Sequence, residues 1–559
     1  MADARHATAT QSRVLRSHIR ANIDSDYGDQ HDFRSINSYE DFVARVPVST
    51  YADLSPWVER VRAGDVRAMF GGRQRVHMFA MTSGTVDRPK YVPVTDRFLK
   101  ALRAGWNAFG IKALTDHPNC FMRPIVQVTS PMDEERTSAG YPCGAITGLM
   151  AATQKKLVRK YFIPPLSAAG ITDTLARRYT IMRLAMPANV SWIVTASPAT
   201  VLQLARTGDE CAEPIIRDIR DGTLSREFAI PDAVRVELES RLRPDRDAAN
   251  RLDAIRKRTG RLLPKDYWQL GFLANWTGGT MGLYLREYPE FFGQLPVRDI
   301  GLLSTEGRMS IPLHDGTPAG LAAVSSVFLE FIPTSEYGSD NPETLRTHEV
   351  AVGEEYFILL TTAAGFYRYD IGDCIRVVGM EGQAPVIEFL HKGAHISSMT
   401  GEKITERQVV LAFERASTET GLHESTFVLA PRWADPPFYR LYVEKPTGAA
   451  PDWSPRLASA LDGALRTINI EYASKRSSRR LAPIEVAVVG DGVLRKMDGD
   501  SASRYRPANE QFKHRFLLSE PDADRDFPRD LVPPSSTVTP EQRHRNSDTG
   551  TATPEQRHR

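Results

Sequence analysis

The stretch from residue 82 to residue 90, Thr-Ser-Gly-Thr-Val-Asp-Arg-Pro-Lys, concentrates hydroxyl groups, a glycine and a cation in one loop. Hydroxyls and turn N–H groups can donate to phosphate oxygens, glycine lets a ligand approach the backbone, and a lysine adds positive charge. The spacing differs from the GxxxxGK[ST] phosphate loop. These residues alone therefore fit a phosphate-binding loop and a hydroxyl-rich hairpin turn about equally. The candidates are Thr82, Ser83, Gly84, Thr85 and Lys90.

A second candidate is Ser304-Thr305-Glu306-Gly307, which follows the apolar stretch Val-Arg-Asp-Ile-Gly-Leu-Leu. A carboxylate beside hydroxyl groups suits Mg²⁺, which proteins bind through one or two carboxylates together with substrate phosphates. A serine or threonine followed by a glutamate is also common at helix starts. Taken alone, this motif favours a helix cap with an exposed glutamate.

The third candidate, residues 359–379, joins two predicted strands through a tight region that contains Gly372 and Asp373. An aspartate in this position can accept hydrogen bonds from two ribose hydroxyls, although an aspartate in a β-turn is a strong alternative. The Phe-Tyr-Arg-Tyr run that contains Tyr367 fits cross-strand packing equally well. Three later lysines, Lys392, Lys403 and Lys513, would each be surface residues if judged alone.

The elements that must position these residues read as an α/β fold. Helical and β-branched stretches alternate in a large N-terminal domain, predicted at residues 1–392, whose β-sheets are flanked by helices. Helix, two strands, helix and strand then predict a small α+β domain at residues 393–520, with helices at 404–421 and 454–478 and a joint near 391–398. Residues 521–559 contain Thr-Pro-Glu-Gln-Arg-His-Arg twice and are predicted to be a disordered tail.

Composition narrows the functional classes. The 559 residues carry 71 Lys and Arg against 69 Asp and Glu, so the chain as a whole lacks the positive charge typical of proteins that bind nucleic acid or an anionic membrane. The four cysteines form no metal-binding or disulfide pattern, which fits a reducing cytoplasm. No apolar run approaches the roughly 18 residues of a membrane span, and the N-terminus lacks the apolar stretch of a secretory signal. We expect a cytoplasmic protein whose oligomeric state the sequence does not indicate.

The set of motifs and their order resemble the adenylate-forming enzymes and, more narrowly, the auxin-responsive GH-three family of acyl acid amido synthetases. The resemblance covers roughly residues 35–516. It is strengthened by four further stretches, which are YPCGAITG (141–148), WTGGTMGLY (276–284), GEKITE (401–406) and EQFKHR (510–515).

The resemblance implies a role for each matching residue. Thr82, Ser83, Gly84, Thr85, Lys90 and Ser304 would contact ATP, mainly at its phosphates. Glu306 would organise Mg²⁺, Thr305 would touch the AMP phosphate, and Lys513 would swing in with the small domain. Asp373 would hold the ribose, Tyr367 would help to line the nucleotide pocket, and Lys403 would make interdomain contacts. Trp276, Gly278 and Tyr284 would face the acid substrate.

The implied activity is that of an ATP-dependent ligase that adenylates a carboxylic acid and passes the acyl group to an amine, such as an amino acid, without nucleic-acid or membrane partners. Two departures from the family pattern bear on it. Leu302 stands where the family has an aromatic residue, and Asp87 replaces a glycine in the first loop. The alternatives are a ligase with a thiol acceptor, coenzyme A or a carrier protein, and a non-catalytic nucleotide-binding homologue.

Overall fold

The computed structural model describes residues 2–72, 74–82, 89–279, 281–339, 341–393, 396–400, 402–422, 426–446, 450–494, 514–521, 523–524 and 527. The predicted phosphate-loop residues Ser83, Gly84 and Thr85, together with Asp87 and Lys513, lie outside the described residues. The side chain of Thr82 is likewise not described.

The first part of the chain, up to Arg298, alternates helices with short strands. Its helices are α1 (Ala2–Arg5), α2 (Ala7–Ala21), α3 (Asp26–Gln30), α4 (Tyr39–Arg45), α5 (Tyr51–Arg62), α6 (Asp96–Asp116), α7 (Ile146–Ala152), α8 (Lys156–Arg159), α9 (Thr174–Ala185), α10 (Pro198–Glu210), α11 (Ala212–Asp221), α12 (Asp232–Arg241), α13 (Arg246–Thr259), α14 (Pro264–Tyr267), α15 (Gly282–Leu285) and α16 (Tyr288–Phe292). Its strands are β1 (Val76–Thr82), β2 (Lys90–Thr95), β3 (Ile125–Gln127), β4 (Glu135–Arg136), β5 (Pro142–Gly144), β6 (Trp192–Val194), β7 (Phe272–Ala274) and β8 (Val297–Arg298).

These strands form two sheets. One has the order β2-β1-β5-β4, and β1 and β2 pair antiparallel on either side of the predicted phosphate loop, with Thr82 opposite Lys90. The other has the order β3-β6-β7-β8 and is parallel throughout. Every residue of β6 and β7 is buried, as expected for parallel strands that are covered on both faces. The loops that leave these parallel strands supply much of the candidate site described below.

The central part is a six-stranded antiparallel sheet. Its strands are β9 (Ser310–Pro312), β10 (Gly320–Ala322), β11 (Phe328–Pro333), β12 (Glu355–Thr361), β13 (Tyr369–Glu381) and β14 (Ala384–Lys392), in the order β11-β12-β13-β14-β10-β9. The register between β13 and β14 places Asp373 opposite Lys392 and shifts just after it. Such an irregularity re-aims side chains locally, here at the end of β13 that carries Asp373.

The C-terminal part is a small α+β unit. Its elements are β15 (Ile396–Ser397), β16 (Ile404–Thr405), α17 (Glu406–Thr420), β17 (Phe427–Arg432), β18 (Phe438–Glu444), α18 (Trp453–Ile468), α19 (Ile470–Ser477) and β19 (Glu485–Val489). Thr405 and Gln408 form a capping box at the start of α17, and Gly421 ends that helix with a φ of 70°. The predicted fold class is confirmed: a large α/β region precedes a small α+β region.

One sequence expectation needs correction. The single helix predicted at 454–478 is two helices, because Asn469 takes an extended conformation and its side chain caps α19 by accepting a hydrogen bond from Tyr472 N at 2.8 Å. Two residues of the predicted tail, Asp524 and Phe527, pack on the C-terminal sheet. Tyr442 donates to Asp524, whose carboxylate pairs with Arg432, and the ring of Phe527 lies 4.8 Å from that of Tyr442.

The predicted bounds at 392/393 and 520/521 stay predictions, although β14 ends at Lys392. Cys120, Cys143 and Cys374 are buried, Cys211 is partly buried, and all four are free thiols. Within the described ranges, none of the helices combines the length and the apolarity that crossing a bilayer would require.

Candidate active site

A cleft of about 1150 Å³ opens where the three parts of the chain meet. The first part contributes the loops that follow β7 and β8, the central part contributes Asp373 and Lys392, and the C-terminal part contributes Arg407 and Arg515. The carboxyl ends of the parallel strands face this cleft, which is where open α/β sheets usually bind ligands. The cleft brings together Lys90, Ser304, Thr305, Glu306, Asp373, Trp276 and Gly278 from the sequence predictions.

The Ser304–Glu306 segment is a tight turn rather than a helix start. Ser304 N donates to Gly307 O at 2.9 Å, and Glu306 N donates to Ser304 Oγ at 3.2 Å. Leu303 and Arg308 pair as an antiparallel bridge at the base of the turn. The turn is held from below by Arg308, whose guanidinium donates to Ile300 O at 2.7 Å and lies 4.4 Å from the centre of the Trp106 ring.

Glu306 is 4 % exposed and faces the cleft. Its carboxylate accepts a hydrogen bond from the Tyr369 hydroxyl at 3.3 Å, and that hydroxyl accepts one from Lys90 Nζ at 3.5 Å. Burial raises the pKa of Tyr369, and the nearby Glu306 raises it further, so the phenol stays protonated. Burial also lowers the pKa of Lys90, an effect that Glu306 opposes.

Asp373 is buried and forms an ion pair with Lys392 across the β13–β14 register. The Lys392 ammonium also donates to Ile371 O at 3.2 Å. Burial acts to lower the pKa of Lys392, but the Asp373 carboxylate outweighs it, so the net direction is upward. Because both side chains line the cleft, the pair offers one anion and one cation to a ligand there.

Trp276 and Gly278 form a second wall, which Asp299 fixes in place. The Asp299 carboxylate accepts hydrogen bonds from Thr277 N at 2.6 Å, Thr277 Oγ1 at 2.8 Å and Gly301 N at 2.6 Å. Trp276 Nε1 in turn donates to Gly301 O at 3.0 Å. A Cβ on Gly278 would lie 3.0 Å from Pro318 Cβ, so the close approach of the backbone there favours glycine. Burial raises the pKa of Asp299 to about 6.

Two predicted site residues do not line the cleft. Tyr367 is fully buried in the core, where its hydroxyl accepts a hydrogen bond from Asn22 Nδ2 at 2.8 Å and its ring stacks on Tyr27 at 5.4 Å. Tyr284 packs between the first part and the C-terminal part, with its ring 6.4 Å from that of Phe516. Arg368 has a φ of 45°, so the chain is not extended between the two tyrosines and they do not share a face; Tyr369, two residues later, takes the position beside Glu306.

The remaining predicted residues differ in their surroundings. Lys403 is exposed and has a φ of 47°, and its backbone N–H lies 3.5 Å from Ser398 Oγ. Leu302 lines the cleft and also packs against the core of the central sheet. Lys392 is half-buried and is held against Asp373.

Sequence reasoning passed over Tyr369, Asp299 and Arg308. Tyr369 was visible as the second tyrosine of the Phe-Tyr-Arg-Tyr run, but the left-handed backbone at Arg368 was not. Asp299 and Arg308 flank the Ser-Thr-Glu turn at short sequence distance, which was the available signal. Their contacts depend on the loop after β7 and on α6, which no local pattern reports.

Comparisons with known proteins agree with this architecture. Three family models match in chain order: the GH3 family N-terminal domain at residues 2–297, the central domain at 320–392 and the C-terminal domain at 407–522. The chain is 23% identical over 514 residues to jasmonoyl–L-amino acid synthetase JAR6 from Nicotiana attenuata, covering 87% of each chain. It is 22% identical over 491 residues to indole-3-acetic acid-amido synthetase GH3.10 from Arabidopsis thaliana, covering 82% of each.

The solved structure of the GH3.15 acyl acid amido synthetase superposes on this chain with a TM-score of 0.81 at 18% sequence identity, covering 95% of each chain. A second structure of that protein, in complex with 2,4-DB, gives the same TM-score at 17% identity and covers 95% of this chain and 94% of the other. These likenesses establish a shared fold. Since the N-terminal family model alone spans more than half of the sequence, and the other two follow it in order, the chain belongs to the GH3 family.

Proposed function

We propose that this protein is an ATP-dependent acid–amine ligase, which adenylates a carboxylic acid and transfers the acyl group to an amine. The proposed amine is an amino acid. The observation that carries the proposal is one cleft in which Lys90, Glu306, Asp373 and Lys392 adjoin a large apolar wall. The relatives named as jasmonoyl–amino acid and indole-3-acetic acid-amido synthetases support the amine acceptor.

The residues of the cleft fit a nucleotide. Lys90 and Lys392 supply cations for phosphates, and the Ser304 and Thr305 hydroxyls can donate to phosphate oxygens. The Asp373 carboxylate can accept from ribose hydroxyls on exchange of its pairing with Lys392. Thr82, Ser83, Gly84 and Thr85 are proposed to complete the phosphate site, because β1 and β2 carry their loop to Lys90 at the cleft edge.

Glu306 is the proposed metal ligand. A carboxylate offers about four acceptor positions, and the bond from Tyr369 uses one of them. Mg²⁺ bound there would neutralise charge on the phosphates during the first step. Thr305 would stay close to the phosphate that remains on the product of that step.

In the first step a carboxylate oxygen of the acid attacks the α-phosphorus of ATP, and the bond to the β-phosphate breaks with loss of pyrophosphate. The chain holds the two reactants in line and stabilises the charge that develops, through Lys90 and, in our proposal, Lys513. Lys513 directly precedes His514 and Arg515, which line the cleft.

In the second step the amine nitrogen attacks the acyl carbonyl carbon, the bond to AMP breaks, and the nitrogen loses a proton. No covalent bond to the chain is required, because the adenylate already carries a good leaving group. The proposed compartment is the cytoplasm, which supplies ATP and keeps thiols such as the four free cysteines reduced.

The test is acid-dependent release of pyrophosphate from Mg²⁺-ATP with a mixed panel of aryl, indole, fatty and amino acids. Release that requires one acid supports adenylation. The mass of the product formed with amino acids or with coenzyme A then identifies the acceptor, and a thioester in place of an amide contradicts the amine. Nucleotide binding without release from any acid would favour a non-catalytic homologue and direct attention to Leu302 and Asp87.

A further inference from the structure

The apolar arm of the cleft follows helix α6. Residues along one side of this helix, from Leu102 through Trp106 and Phe109 to Leu114 and Thr115, line the cleft. Thirteen residues of α-helix rise about 20 Å. The arm begins beside the Ser304–Glu306 turn, because the α6 backbone at Gly105 approaches Arg308 so closely that a Cβ there would lie 2.5 Å from Arg308 Cδ. It therefore leads away from the reacting carboxylate for most of that length.

The far end of the arm is not closed by buried side chains. Ile111, Phe121 and Val158 line the cleft there while remaining 69%, 63% and 42% exposed. Their sequence neighbours Met122 and Leu157 are also strongly exposed, at 60% and 71%. Large apolar side chains gathered at an opening indicate a ligand that continues outward past them.

The residues around the same opening carry an excess of positive charge. Residues 96–172, which include α6, Phe121 and α8, hold ten Lys and Arg against five Asp and Glu, in a chain that is otherwise nearly balanced. Of the acidic residues, Asp116 pairs with Lys112 and Arg298, and Asp133 pairs with Arg136. Arg103 and Lys155 of these stretches line the cleft itself. A mouth that is both apolar and cationic attracts an anionic amphiphile.

We propose that the acid substrate is a long-chain carboxylic acid, whose carboxylate reaches the Ser304–Glu306 turn and whose tail lies along α6 and leaves between Ile111, Phe121 and Val158. The proposal rests on the proposed function and names its substrate class. An extended chain advances about 1.2 Å per bond, so an arm of about 20 Å holds roughly 16 bonds.

The first experiment measures kcat/KM for pyrophosphate release with straight-chain acids of about 6, 10, 14 and 16 carbons, beside aryl and indole acids. We expect kcat/KM to rise with chain length to about 14–16 carbons. A long acid that carries a pyrene group at its far end should react, whereas a short acid with the same group should not, since only the long tail places the group outside the mouth.

The second experiment replaces the mouth residues. In the double variant Ile111→Ser/Phe121→Ser, the ratio of kcat/KM for the longest acid to that for the shortest should fall about tenfold, the effect of losing roughly one buried apolar side chain. Val236→Ser is the matched control, because Val236 on α12 has the same exposure as Ile111, 69%, and does not line the cleft. Its ratio should equal that of the wild type.

The outcomes distinguish the long-chain substrate assignment from the proposed adenylating function. Release with compact aryl or indole acids, but none with acids of 14 carbons or more, overturns the long-chain assignment and leaves the adenylating function standing. An equal fall in the ratio for Val236→Ser also contradicts the assignment. Silence with every acid tested, despite nucleotide binding, contradicts the proposed function and the assignment together.

Discussion

At the scale of single residues, the phenol of Tyr369 joins two opposite charges of the cleft, those of Glu306 and Lys90. It donates to Glu306 and accepts from Lys90. Since Glu306 is 4 % exposed, bulk water screens its charge only weakly, and the charge can act on a ligand in the cleft. The carboxylate and the ammonium are thus held ready for a ligand that can use both.

Replacing Glu306 with Gln removes the charge and keeps the shape of the side chain. We expect acid-dependent pyrophosphate release to fall about 10²–10³-fold, as for other preorganised electrostatic groups. The measurement is the initial rate at saturating Mg²⁺-ATP. Glu343→Gln is the control, because Glu343 is exposed and lies away from the cleft. A Glu306→Gln rate within twofold of that control, a margin of about 0.4 kcal/mol, would exclude the proposed metal ligand.

Asp299 gives a prediction about pH. Burial raises its pKa to about 6, so the folded chain binds a proton more tightly than the unfolded chain does. This carboxyl therefore contributes stability that is present below its ordinary pKa of 3.8 and is lost as the pH rises through about 6. The variant Asp299→Asn cannot titrate at this position.

The free energies of unfolding of wild type and Asp299→Asn should therefore diverge on acidification. Their difference should be about 2 kcal/mol more in favour of the wild type at about pH 4.5 than at about pH 7. Urea titrations at the two pH values give this difference directly, and pH-dependent terms elsewhere in the chain cancel in the comparison. A difference that stays constant with pH would show that Asp299 titrates normally.

At the scale of elements, Asn469 separates α18 from α19 and ties them to α17 and to Glu402, just before β16. Its side-chain nitrogen donates to Glu402 O and Gln408 Oε1, both at 3.0 Å, and its side-chain oxygen caps α19. One side chain thus fixes the relative position of three elements in the small α+β region.

We expect Asn469→Ala to lower the free energy of unfolding by about 2–3 kcal/mol, because it removes a cap and leaves buried backbone groups unpaired. Thermal or urea unfolding measures this loss. Thr467→Ala, an exposed position two residues earlier, is the control and should change stability by less than about 0.5 kcal/mol. Equal losses in both variants would contradict the capping role.

At the scale of the whole molecule, the C-terminal part meets the first part through polar as well as apolar contacts. One of them is the ion pair from Arg286 Nη2, just after α15, to Glu414 Oε1 on α17 at 3.1 Å. With Arg286 49% and Glu414 22% exposed, this pair is worth little in stability and breaks readily. A cross-link at this ion pair can test whether the two parts move relative to each other between the first and the second step.

We expect a chain with Cys at positions 286 and 414, joined by a short bifunctional maleimide, to retain acid-dependent pyrophosphate release and to lose amide formation at least tenfold. The described arrangement has His514 and Arg515 at the cleft, which suits the first step in our proposal. The single-Cys chains treated with the same reagent are the controls, and the native thiols are mostly buried. Full amide formation after cross-linking would exclude the motion.

Sequence patterns predicted the α/β and α+β architecture because apolar periodicity and helix caps are local signals. The Gly421 cap and the Thr405 capping box illustrate this. They also predicted several residues of the cleft, such as Glu306 and Asp373, by motif and order. The patterns failed where a local backbone conformation or a distant partner decides where a side chain lies. Tyr367 and Tyr369 are two residues apart, yet one packs against α3 and the other faces Glu306.

The parallel sheet β3-β6-β7-β8 has a consequence for how such proteins diversify. Two walls of the cleft are carried by the loops that leave β7 and β8, so a substitution in these loops leaves the buried strands in place. The residues after β7 and β8 can therefore change while the sheet that positions them stays the same. Relatives that share only 22–24% of their residues with this chain are an expected product of such loop-by-loop change on a constant frame.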